Sequence, residues 1–173
     1  MIKKGVSPVI ASVLMVLVTI VAVALISAFL IPLVKDNLTG GGNCFKVIGK
    51  LDINTDTGYT CYNITGDTVL VMVERGYLEE DIDIVGLNFY ITAGAERQSY
   101  EVTNGDSDPG IRMYNESGYN SSLYLPKEGG ALTYVFDMAA VSSTPEAVEV
   151  SAVLDDGKVC DPVFSNLPKC AVF

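Results

Sequence analysis

The chain changes its hydrophobic pattern once, near residue 34. From Val6 to Val34 there is no Asp, Glu, Lys or Arg, and the only polar side chains are Ser7, Ser12, Thr19 and Ser27. A helix of this length spans roughly 43 Å against a hydrocarbon core of about 30 Å, enough to cross a bilayer and protrude by a couple of turns. A secretory signal peptide carries an apolar stretch of roughly 7–15 residues before a small-x-small cleavage site, and this run is about twice that. Lys3 and Lys4 precede it, whereas Lys35 and Asp36 cancel behind it. The charge bias predicts a single-pass segment with its N-terminus in the cytoplasm and everything after residue 35 outside. Pro8 falls in the first turn, where no hydrogen bond is lost, and Pro32 falls near the end, where it can kink or stop the helix.

Beyond Lys35 the period shifts from helical to two. Residues 37–43, Asn-Leu-Thr-Gly-Gly-Gly-Asn, read as a flexible linker. Segments 45–53, 59–64, 68–74, 82–92, 98–102, 132–138 and 147–154 are rich in Val, Ile, Tyr, Phe and Thr and read as strands. Thr57-Gly58, Gly66-Asp67, Arg75-Gly76, Asn104-Gly105 and Asp156-Gly157 punctuate them as turns. Residues 105–130 are polar and rich in Gly, Ser and Asn, with Tyr114, Tyr119 and Tyr124 as their aromatics, and read as long surface loops with room for a short edge strand. The expected architecture is a long N-terminal hydrophobic α-helix at 6–36 followed by an all-β, Ig-like β-sandwich at 44–173.

Composition narrows the function classes. The 173 residues contain no histidine, which removes Ser-His-Asp and Cys-His nucleophile systems, HExxH zinc sites and imidazole acid/base chemistry. An enzyme is not expected, no cofactor is implied, and among the 21 Asp and Glu nothing singles out a hydrolytic pair. Against those 21 acids stand 11 Lys and Arg, a net charge of -10. Residues 1–34 hold two lysines and no acid, so the remainder carries -12. Phosphate neutralisation needs clustered cations, so nucleic acid is not an expected partner.

Four cysteines, Cys44, Cys61, Cys160 and Cys170, lie in the part expected outside the cell and read as two disulfides. Of three connectivities, 44–61 with 160–170 is the expected one, because each pair is close in sequence; neither spacing is the CxxC of a zinc ribbon, and no metal site is expected. Sequons at Asn37, Asn63, Asn115 and Asn120 are candidate glycan acceptors on an exported chain, with Asn63 the least suitable because it sits near a strand. Asp52-Ile-Asn-Thr-Asp56 with Gly58 superficially resembles a calcium loop, but position six is Thr57 and position twelve Asn63. The acidic run at 79–83 reads as a solvated turn.

The N-terminus carries the most specific pattern: Lys3-Lys4-Gly5, then Val6-Ser-Pro-Val-Ile10 and an uninterrupted aliphatic run. This resembles the class III signal peptide of archaeal type IV pilins, and more closely than it resembles archaellins. A weaker similarity to pilin-like proteins lies in Gly157-Lys-Val-Cys-Asp-Pro162 and Cys170. The resemblance implies removal of residues 1–5 by a prepilin peptidase, with Lys3, Lys4, Gly5 and Val6 as the processing residues. It also implies a membrane-held precursor, then a homo-oligomeric helical filament on the cell surface, served indirectly by an assembly ATPase and a platform protein. The β-domain would face outward for adhesion. The fifth mature residue is Ile10, where bacterial type IV pilins have glutamate, so registration would rest on packing of small residues such as Ala11, Ser12, Ala22, Ala24 and Ala28. The alternative is a single-pass, membrane-tethered β-sandwich binding module that does not polymerise.

Overall fold

The structure is a computed structural model that describes residues 8–65, 67–78 and 82–171, without the side chains of 8, 9, 11 and 32–41. It divides into two compact units, Met1–Gly42 and Asn43–Phe173. Among the described residues one helix, α1 (Pro8–Val47), is followed by nine strands: β1 (Leu51–Ile53), β2 (Cys61–Asn63), β3 (Thr68–Arg75), β4 (Ile84–Ala93), β5 (Glu96–Thr103), β6 (Ile111–Met113), β7 (Gly130–Asp137), β8 (Ala147–Leu154) and β9 (Val163–Asn166). Helix therefore occupies residues 37–43, where the glycines had suggested a linker, and 45–47, where a strand was expected. The stop comes later, at Gly49, whose φ of 72° supplies the left-handed residue that ends helices. There the Lys50 N–H turns back to the Val47 carbonyl at 2.9 Å.

In the second unit the strands form two antiparallel sheets. One has the order β1-β3-β7-β6 with β2 also on β3; the other has the order β5-β4-β8-β9. With β2 set aside, taking β1, β3, β4, β5, β6, β7, β8 and β9 as A, B, C, C′, D, E, F and G gives A-B-E-D and C′-C-F-G, the immunoglobulin-like arrangement of a β-sandwich. Alternation places Val69, Val71 and Val73 of β3 in the core with Leu87, Phe89 and Ile91 of β4 and Val148 and Val150 of β8, all fully buried. Phe89 bridges the sheets, with ring centroids 5.0 Å from Tyr134 and 4.9 Å from Phe136 of β7. The β4–β5 hairpin pairs Ala93 with Glu96 across two residues, and Gly94, φ 61°, takes the positive-φ corner.

Two segments depart from the expectation. Residues 105–130 supply β6, the short edge strand for which the sequence left room, but they are more than surface loops: they bury Ile111, Met113, Leu123 and Leu125 in the core. The polar residues between them mask four anchors spaced too widely to show a period. The short β9 was not anticipated either; it is a half-exposed edge strand lying between Pro162 and Pro168.

The cysteine pairing also differs. Cys44 bonds Cys160 and Cys61 bonds Cys170, closing separations of 116 and 109 residues. Neighbours in sequence are driven apart because a strand rises about 3.3 Å per residue. Thus β9 carries the chain away from Cys160 before Cys170 is reached. The tail then lies beside β2, where the Tyr62 N–H donates to the Pro168 carbonyl at 2.8 Å and the Cys170 N–H to the Tyr62 carbonyl at 2.9 Å. Cys170 so covers a second small apolar cluster of Cys61, Leu70 and Val135 on the outer face of that sheet.

Candidate functional site

Within α1, Ser12–Ile31 is a stretch of 20 residues with mean hydropathy 3.0 and none of it buried, long and apolar enough to cross a membrane. Six consecutive residues, Val13 to Val18, are large, apolar and exposed, and at 100° per residue they cover every direction around the axis. Such a helix has no polar face and demands apolar surroundings on all sides. The Thr19 hydroxyl donates to the Val16 carbonyl at 2.8 Å, which satisfies it inside the helix. Small residues at Ala22, Ala24 and Ala28 leave room for close approach by another helix. The processing residues Lys3, Lys4, Gly5 and Val6 lie outside the described residues, as do Glu79, Glu80 and Asp81 of the acidic run.

Of the four sequons, Asn37 falls among the undescribed side chains. Asn63 is half-buried on β2, with its Oδ1 accepting the Thr65 N–H at 3.0 Å. Asn115 and Asn120 are exposed, and Asn120 adopts φ 64°, a conformation asparagine tolerates better than most residues. At the calcium-like segment, the Asn54 Oδ1 accepts the Asp56 and Thr57 N–H groups at 3.0 and 3.1 Å and caps a turn. Among the described residues there is no grouping of three or more His, Cys, Asp or Glu that could hold a metal ion.

The aromatic residues of 105–130 do not converge on one spot. Tyr114 meets Tyr59 edge-on at 5.2 Å, whereas Tyr119 lies under the Arg112 guanidinium at 5.6 Å. Tyr124 is 55% exposed, and its carbonyl accepts the Tyr134 hydroxyl at 2.7 Å. Burial pushes the Tyr134 phenol far above the ordinary tyrosine range. Burial also raises Tyr100, helped by the nearby charges of Asp108 and Asp137. Asp156 is lowered, chiefly by the Lys158 N–H that its carboxylate accepts. One feature escaped the reading of the sequence altogether: Arg75, taken there as part of a turn, is nine-tenths buried beside a cleft, and its only outward sign is a cation closing an aliphatic strand.

Residues 4–37 match the family model described as archaeal type IV pilin, N-terminal. The match takes in Lys4, Gly5 and the whole uncharged run. No curated protein matches the chain. Among solved structures the chain is similar to the archaellum periplasmic stator protein complex FlaF and FlaG from Sulfolobus acidocaldarius, at 15% identity and TM-score 0.33 over 67% of this chain and 88% of that one. It is also similar to a cohesin module from a family 33 glycoside hydrolase of Clostridium perfringens, at 12% identity and TM-score 0.30 over 69% and 95% of the two chains.

Proposed function

We propose that the protein is a structural subunit of an archaeal type IV pilus-like surface filament. The observation that carries this reading is the pilin N-terminal match lying on a helix that is apolar on every face. While Lys3 and Lys4 remain, they hold the N-terminus at the cytoplasmic membrane face. Cleavage between Gly5 and Val6 removes that charged lock, and the helix exchanges lipid for identical neighbours in a filament core. Residues 1–5 are then the signal peptide, 6–36 the core helix, and 44–173 the outer domain. Assembly draws on the prepilin peptidase directly and on the assembly ATPase and platform protein indirectly. The β-domain is displayed to the surroundings for adhesion, and the exposed Asn120 is its best-placed glycan acceptor, whereas Asn115, also exposed, lines the cleft beside Arg75. The work is structural, with no catalysis.

Expression in hosts with and without a prepilin peptidase, followed by intact mass and N-terminal sequencing, tests the proposal. The expected result is a peptidase-dependent new terminus at Val6. An intact Met1 form in both hosts overturns it and leaves the membrane-tethered binding module as the reading.

A further inference from the structure

The side chain of Arg75, at the end of β3, is 10% exposed. Its Nη2 donates to Asp83 Oδ1 at 2.7 Å and lies 3.8 Å from Glu128 Oε1, while Nε is buried and has no partner among the described residues. A guanidinium offers five donors, and among the described residues both acidic partners of Arg75 lie on Nη2 while the buried Nε has none. A buried unpaired donor is disfavoured in a folded protein and calls for a physical explanation.

Beside Arg75 is a cleft of about 530 Å³, within the range of small-molecule sites. Its walls are mainly apolar, from Met113, Tyr124, Leu125, Pro126 and Leu132, with Lys127 as a second cation. The wall at 124–126 is fixed: the Tyr134 hydroxyl holds the Tyr124 carbonyl, and Asn104 Oδ1 accepts the Leu125 N–H at 2.8 Å. A preformed apolar hollow with a buried, under-used guanidinium needs an apolar ligand carrying an anion. Carboxylate suits it better than phosphate. A planar singly charged group matches the guanidinium fork, whereas a dianion would be repelled by Glu116 in the lining and by Asp83 and Glu128 around Arg75.

We propose that this cleft binds a small ligand bearing one carboxylate on an apolar body, with Arg75 as the anion partner. Such chemistry comes either from a free organic acid or from the C-terminal residue of a peptide. The test titrates the full chain in lipid nanodiscs with cyclohexanecarboxylate, cyclohexanecarboxamide, N-acetyl-phenylalanine and phenyl phosphate, read by calorimetry and by saturation-transfer NMR. Both carboxylates are expected to bind at least about 10-fold more tightly than the neutral amide. Tighter binding of N-acetyl-phenylalanine supports the peptide source, and tighter binding of cyclohexanecarboxylate supports the free acid. Arg75→Gln is expected to abolish the preference for the charged form. Because that substitution also breaks an ion pair, Lys127→Gln, on an exposed residue, provides a second variant and is expected to weaken carboxylate binding several-fold. Equal binding of acid and amide, a preference for phenyl phosphate, or unchanged affinity in both folded variants overturns the proposal.

Discussion

The two units of this chain solve the burial of apolar surface in opposite ways. In the second unit successive side chains point to opposite faces of a strand, so each sheet turns one apolar face to its partner and Val69, Leu87, Phe89, Ile91, Phe136 and Val150 reach essentially zero exposure within a single chain. In the first unit the apolar residues do not alternate with anything. Val13, Leu17, Val21 and Leu25 are more than half exposed. The difference teaches that the second unit carries its own core, whereas the first presents apolar side chains all around its axis and, on the proposed function, takes its cover from lipid or from other copies. A helix of this kind is stable alone only in an apolar solvent, because helix propensity by itself contributes little.

Separating the units tests this most severely. Residues 43–173 expressed alone in an oxidising compartment are expected to be a soluble, cooperatively unfolding monomer, while the full chain stays in the membrane fraction. Sedimentation and thermal melts decide it, and an aggregated 43–173 would break the comparison. Within the full chain, Val18→Lys places a charge mid-span and is expected to disfavour insertion by about 2.5–3.5 kcal/mol, read as a shift from membrane to soluble fractions. The melting of the β-domain should not change.

The disulfides come next. Each closes more than 100 residues, and on the chain-entropy model each stabilises by about 5 kcal/mol. Loss of Cys61–Cys170 through paired alanine substitutions should lower the melting temperature of the β-domain, and partial digestion with mass mapping should recover 44–160 and 61–170 fragments. Recovery of 44–61 would refute the pairing. Next in size, Phe89→Ala removes the ring that bridges the two sheets and is expected to cost about 3–5 kcal/mol in denaturant unfolding.

How much of this was legible beforehand follows from where the forces act. The helix was plain because an uncharged run of its length has few alternative meanings, and the long strands β3, β4, β7 and β8 were plain because each is rich in β-branched and aromatic residues and most are set off by Gly and Asx turns. Residues 105–130 hid their four core anchors because the irregular backbone between them destroys any period. The cysteine pairing misled because proximity in sequence says nothing about the end of a strand at which a residue emerges. The helix ran past its three glycines because propensity is a weak preference and stops a helix only where a left-handed residue is adopted, here at Gly49. The cleft at Arg75 was invisible for another reason: β3, β6 and the 124–132 segment meet only after folding.

The smallest effect isolates a single hydrogen bond in the self-sufficient unit. Tyr134 is fully buried between Phe89 and the 124–126 wall, and its hydroxyl donates to the Tyr124 carbonyl. Tyr134→Phe keeps the ring packing and removes the donor, so it is expected to cost about 1 kcal/mol near neutral pH. The pH dependence gives the sign. Burial raises the folded phenol above the unfolded value of about 10, so the folded state favours the neutral form. The stability this confers is complete below about pH 10 and is lost as pH rises beyond it, because the unfolded chain releases its proton while the folded chain retains it. By pH 11 the loss reaches about 1.4 kcal/mol for one such group, of which about 1 kcal/mol falls between pH 10 and 11. Tyr100 shifts in the same direction, but its partial exposure to solvent screens the effect. In Tyr134→Phe the stability curve above pH 10 should therefore flatten by nearly this slope, measured as the denaturant midpoint against pH. An unchanged alkaline slope would mean that water reaches the hydroxyl, and that the β-domain is less sealed than its contrast with the helix requires.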